Sequence, residues 1–98
     1  MTVRLTPEAE QDVDEAIRWY DQKSTTLGDE FLKYVNKRIE SIERNPEMYP
    51  RVHRKMRRAL LERFPYQVLF EIDSNEVVVY AIYHCARDPE GWKKRLPA

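Results

Sequence analysis

Apolar positions recur along the chain at three spacings, and each spacing predicts an element. Ala9, Val13, Ala16, Ile17 and Tyr20 make one stripe at helical period, and Phe31, Leu32, Val35, Ile39 and Ile42 make a second. Thr6-Pro7-Glu8 is a helix start: threonine caps free N–H groups, proline suits the first helical position, and an acid there favours the dipole. The first helix is expected to end near Lys23 to Thr26. The second runs from near Gly28-Asp29 to Asn45-Pro46, where the residue before proline leaves helical space. Two amphipathic helices this close in sequence predict an αα-hairpin.

From Tyr66 the period changes to two. Tyr66, Val68, Phe70 and Ile72 alternate with Gln67, Leu69, Glu71 and Asp73, as a strand with one face on a core does. Asp73-Ser74-Asn75-Glu76 has turn chemistry, since Asn tolerates positive φ and Asp and Ser bond their own backbone. The return strand, Val77 to Tyr83, is apolar at almost every position, which predicts an interior strand covered on both sides. Arg57 to Phe64 is expected as a further strand. It would carry Arg58, Leu60, Glu62 and Phe64 on one face and Arg57, Ala59, Leu61 and Arg63 on the other, with Pro65 making a tight connection. Thr2 to Leu5 predicts a short strand. Pro46 to Lys55 reads as a loop, and the tail from Arg87 holds one helical turn around Pro89 to Lys94.

Helices grouped together and strands grouped together argue an α+β fold: an N-terminal strand, a helical hairpin, then a three-stranded antiparallel meander with the helices on one face. Ninety-eight residues, 42% hydrophobic and 35% charged, suit a single globular domain over residues 1–98. No run is long enough to span a bilayer, and no leader pattern opens the chain. The lone Cys85 has no internal disulfide partner, so the expected setting is cytoplasmic.

The net charge of zero hides a polarised chain. Glu8, Glu10, Asp12, Asp14 and Glu15 cluster without a basic residue, whereas Arg51, Arg54, Lys55, Arg57, Arg58 and Arg63 face only Glu62. The basic segment can bind phosphates or an acidic protein; alternatively, the two segments face each other or solvate the surface.

Chemistry-bearing residues collect where the last strand ends. His84 has the near-neutral pKa of an acid or base, and Arg87 can clamp a phosphate, as can Arg63 and the Lys55–Arg58 cluster. Each also has a plain alternative. His84 can bond a backbone group, Arg87 can pair with Asp88 or Glu90, and Trp92 can pack the tail onto the sheet instead of stacking on a base. Cys85 has no basic partner fixed by sequence. No Cys/His spacing suggests a metal site, and no Gly-rich phosphate loop is present, so no cofactor is expected.

The ordered set of motifs resembles the toxins of the RelE/ParE superfamily of bacterial type II toxin–antitoxin systems. The resemblance rests on Leu5-Thr6-Pro7-Glu8-Ala9, on Arg44-Asn45-Pro46, and on Arg57-Arg58 leading to Phe64-Pro65-Tyr66. It rests most on Val79 to His84 followed by Arg87-Asp88-Pro89 and Trp92. It implies neutralisation by a cognate antitoxin in a hetero-oligomer and a growth-arresting target. In RelE-like members that target is mRNA, cleaved on the ribosome; in ParE-like members it is DNA gyrase. On the resemblance, Arg63 and Arg87 lie close to the catalytic arginines of the ribonucleases, and Lys55 near their basic loop. His84, Arg87 and Arg63 are the expected catalytic set of a metal-independent endoribonuclease. Arg51, Arg54, Lys55, Arg57, Arg58 and Trp92 are the expected target-binding set. One departure tips the expectation to gyrase: Trp92 stands where the ribonucleases carry a catalytic tyrosine, and indole only donates. The alternatives are the ribonuclease and a toxin-fold interaction module without activity.

Overall fold

A computed structural model describes residues 1–97. Its elements follow from the local chemistry. The Thr6 hydroxyl accepts the Ala9 N–H at 3.1 Å and starts helix α1, Pro7–Lys23. Helix α2, Leu27–Arg44, has no side-chain cap of its own. The Asp21 carboxylate of α1 supplies one, accepting the Gly28 N–H at 3.1 Å and placing negative charge at the positive end of the α2 dipole.

The strands are β1 (Thr2–Leu5), β2 (Arg51–His53), β3 (Met56–Leu60), β4 (Tyr66–Asp73) and β5 (Glu76–His84), with a short helix α3, Glu90–Lys93, in the tail. They form one sheet in the order β1-β5-β4-β3-β2. β1 runs parallel to β5, and the other neighbours are antiparallel. The fold class is the expected α+β, with α1 and α2 on one face of the sheet. The meander, however, has four strands. β2 lies within the expected Pro46–Lys55 loop, after a 3₁₀ turn at Pro46–Met48. Its hairpin to β3 turns on Arg54-Lys55 with Arg54 at φ 53°, a conformation usually signalled by Asn or Gly. β3 also ends earlier than expected, at Leu60 rather than Phe64. The chain reverses through Leu61–Pro65, with Arg63 at φ 67°. That reversal sends Phe64 into the helix layer. In β3, Ala59 faces the helices while Met56 faces the opposite side.

The helix-side core joins Ala9, Val13, Ala16, Phe31, Val35 and Ile42 to Val68, Phe70, Val77, Val79 and Ile82. Each large buried side chain contributes about 1.5–3 kcal/mol of transfer free energy. Tyr20, Phe31, Phe64 and Tyr66 add an aromatic knot, with Phe31 centroids 5.3 Å from Phe64 and 4.9 Å from Tyr66. Leu32 departs from its expected core role: it is 38% exposed, in a groove between α1 and α2.

The opposite face carries a smaller cluster of Met56, Leu69, Ala81, Tyr83 and Trp92, which the tail closes. Covering on both sides explains the unbroken apolar run in β5. A β-bulge contributes too: Phe70 pairs with Val79 and Leu69 with Ala81, leaving Tyr80 as an extra residue.

Candidate functional site

β1 covers β5 only from Glu76 to Val79, so the end of β5 emerges beside α1 with an open edge. Asp12 of α1, expected among the solvated acids, turns to this edge and is buried. Its carboxylate accepts the Ile82 N–H at 3.0 Å and a two-pronged bond from Arg95, at 2.6 and 3.1 Å. Arg95 also donates to the Tyr80 carbonyl at 3.2 Å. The hydrogen bond to Asp12 is the main reason the Arg95 pKa is raised, so the guanidinium stays charged. This pair fastens the tail and closes one end of the exposed edge.

Beyond it lies an open groove of about 350 Å³ lined by Asp12, Glu15, Ala16, Trp19, Tyr66, Ile82, His84 and Arg87. His84 sits at the end of β5, its ring 5.1 Å from that of Tyr66. Its Nδ1 accepts the Ala86 N–H at 3.0 Å, so one ring nitrogen is engaged by backbone and the other is left as the donor. Arg87 does not pair with Asp88 or Glu90. Its guanidinium lies 4.0 Å from the Tyr83 ring centroid, while Asp88 accepts the Glu90 N–H and Glu90 meets Lys93. Burial raises the Tyr66 pKa, with nearby Tyr20 adding to the effect and Arg87 opposing it. The groove can therefore present a donor, a fixed cation and a phenol that stays protonated at neutral pH.

Arg63 is not part of it. It projects toward α2, where its Nη2 lies 3.9 Å from Glu30 and its guanidinium carbon 5.6 Å from the Tyr34 centroid. The basic segment is likewise divided. Arg57 donates to the carbonyls of Glu47 and Tyr49, at 3.2 and 2.7 Å, and so anchors the 3₁₀ turn. Arg51 pairs in register with Arg57 at the sheet's outer strand, and Lys55 is exposed in the β2–β3 turn. Arg58 is exposed, and Arg54 shares a concavity with His53, Glu90, Lys93 and Lys94. Trp92 is 5% exposed and packed into the second core, which leaves no ring face for stacking on a base. Its indole Nε1 has no hydrogen-bond partner. Cys85 is exposed, and partial burial of its thiol raises the pKa, opposed by the Arg58 charge.

The reading from sequence missed Asp12, Arg95, His53, Lys93 and Lys94. Only Asp12 carried a signal, as the acid adjoining Val13 at the margin of the helical stripe. Among the described residues, no group of three His, Cys, Asp or Glu side chains is placed to hold a metal ion, and no helix is long and apolar enough to cross a membrane.

Residues 3–89 match the family model of the ParE toxin of the type II toxin–antitoxin system parDE. No curated protein matches the sequence. Among solved structures, the chain is similar to one described as the chromosomal ParDE TA system from P. aeruginosa. The identity is 19% and the TM-score 0.73, over 86% of this chain and 95% of that one. At that identity the likeness speaks for the fold.

Proposed function

The chain belongs to the ParE toxin family of type II toxin–antitoxin systems, and from that premise we propose that it arrests growth by binding DNA gyrase stoichiometrically. The observation that carries this reading is the dispersal of the cations RNA cleavage would need, which leaves Arg87 as the one arginine beside His84 in the groove. Metal-independent cleavage requires a base, an acid and positive charge converging on one phosphate. Here Arg63 stands against Glu30 and Tyr34, Arg57 is spent on backbone carbonyls, and Trp92 is buried. A binding poison needs only a surface.

The antitoxin is the second partner in this reading. The groove between α1 and α2 has a floor of Leu5, Val13, Leu32, Val35 and Ile39 and a rim that includes Glu10 and Asp14. It suits an amphipathic helix with basic residues beside its apolar stripe. Gyrase and ribosomes both work in the cytoplasm, where this reading puts the toxin.

One observation favours a ribonuclease as the runner-up: His84, Arg87 and Tyr66 line one groove. The deciding experiment uses antitoxin-free protein in two reactions. Gyrase supercoiling of relaxed plasmid is expected to fail while mRNA in a translating extract keeps its ends, as mapped by primer extension. New mRNA ends that vanish in His84→Ala or Arg87→Ala protein would retire the gyrase reading. Inertness in both reactions would leave an interaction module.

A further inference from the structure

We propose that the tail-covered face of the sheet binds the phosphate backbone of duplex DNA through Arg54, Arg58, Lys93 and Lys94. The proposal rests on the gyrase reading for its setting, since gyrase holds a duplex that a bound toxin would meet. Three elements build the face. His53 pairs in register with Met56, and its ring meets Trp92 at 6.0 Å, which places the end of β2 on the tail side. Arg54 then projects from the turn. α3 crosses from the other direction, and Lys93 and Lys94 close a concavity of about 300 Å³ with His53, Arg54 and Glu90. Arg58 lies two residues along β3 from Met56, about 7 Å away on the same face.

The charges here are free to act outward. Among the described residues Glu90 is the one acid at the concavity, and it meets Lys93 at 3.6 Å from an exposed position. Arg54, Arg58 and Lys94 form no ion pair among the described residues. The acids of α1 belong to the opposite layer, and Glu71, a β4 acid on the tail-covered face, sits by Tyr80 and does not line the concavity. The lining also argues against a peptide occupant. Protein interfaces rely on apolar or aromatic anchors, and the ring that could serve, Trp92, is sealed beneath the surface. Backbone phosphates need only cations, and without a stacking platform the contact favours a duplex over single strands. Lys93 and Lys94 lie beyond residue 89, where the family match ends, so this face includes positions the match does not reach.

The test is anisotropy of a short labelled duplex with the full-length protein and no gyrase. Four phosphate contacts predict that log K falls with log salt at a slope of about −3.6 between roughly 50 and 200 mM. Arg54→Gln with Lys94→Gln, both at exposed positions, is expected to flatten that slope by about 2. Lys37→Gln on α2 leaves it unchanged. Isotherms of the double variant that superimpose on the wild type overturn the proposal. So does displacement by poly-glutamate at equal charge, or tighter binding of single-stranded RNA. Because gyrase is absent, the two readings fail separately. Duplex binding without supercoiling inhibition removes the gyrase reading alone, and inhibition without duplex binding removes this face alone.

Discussion

The two faces of the sheet solve the same problem by different means. On one side, two helices of 17 and 18 residues bury a core in which each side chain is held by several others. On the other, one four-residue helix and its flanks cover a small cluster, and a single buried ion pair carries the fastening. The first face is redundant and the second is not. A small cover gains little from transfer of apolar area, so a directional bond must locate it. The comparison teaches where the molecule can be opened without being unfolded: at the tail.

The strongest challenge to this contrast is Phe70→Ala. Phe70 is fully buried between strands and helices, and its loss should cost about 3–5 kcal/mol, a large share of the 5–15 typical of a small domain. An unchanged urea midpoint would show that the helix side is not the main core. Next is Arg95→Leu, which strands the Asp12 carboxylate. Removing one partner of a buried pair costs about 3–5 kcal/mol. The lower end applies here, because the Arg95 side chain is 22% exposed. Faster exchange of the Ile82 amide and protease cleavage near Lys93 and Lys94 should accompany it, and Asp12→Leu with Arg95→Leu should recover part of the loss. Global unfolding without a tail-specific step would make the two faces one unit.

A smaller effect separates the faces by pH. Burial first, then Tyr20, raises the Tyr66 pKa above its ordinary 10.0. The folded state thus prefers the protonated phenol. That contribution is complete below about pH 10 and is lost as pH climbs through the folded pKa, with a limiting slope of about 1.4 kcal/mol per pH unit. Tyr66→Phe should soften the alkaline decline seen in melting curves, and an identical decline would remove Tyr66 as its source. The smallest expected change is Trp92→Phe. Lost volume destabilises, but the orphaned indole N–H, itself costing about 1–3 kcal/mol, disappears. The net should stay within about 1 kcal/mol by denaturant titration; a loss near the 3–5 of an aromatic truncation would mean that the donor was no burden.

What could be read from the chain was what is local. The stripes of α1 and α2, the alternation of Tyr66 to Ile72 and the turn at Ser74-Asn75 state their periods within a few residues, and the fold class follows. β2 was illegible because three residues carry no period and its turn uses Arg54-Lys55 where Asn-Gly would announce a hairpin. Leu32 kept helical spacing yet lies at the mouth of a groove, since period alone does not say how wide a partner surface is. The Asp12–Arg95 pair spans 83 positions, and nothing local distinguishes that acid from its solvated neighbours. The division of the basic segment depends equally on tertiary contacts: Arg57 and Arg58 are adjacent in sequence and project to opposite sides of the sheet.

The extra residue in β5 shifts the numbering parity of everything downstream while the pairing with β4 keeps its alternation. Before Tyr80, odd-numbered positions face the helices; after it, even-numbered ones do, so Ile82 and His84 share a side with Val77 and Val79. Deleting that residue would leave both halves of the strand on their present sides, because Ala81 would follow Val79 directly in plain alternation, with Ile82 and His84 still toward the helices and Tyr83 toward the tail. The extra residue is therefore a local fitting and not a switch between surfaces: what its removal would take away is the Tyr80 carbonyl that Arg95 reaches.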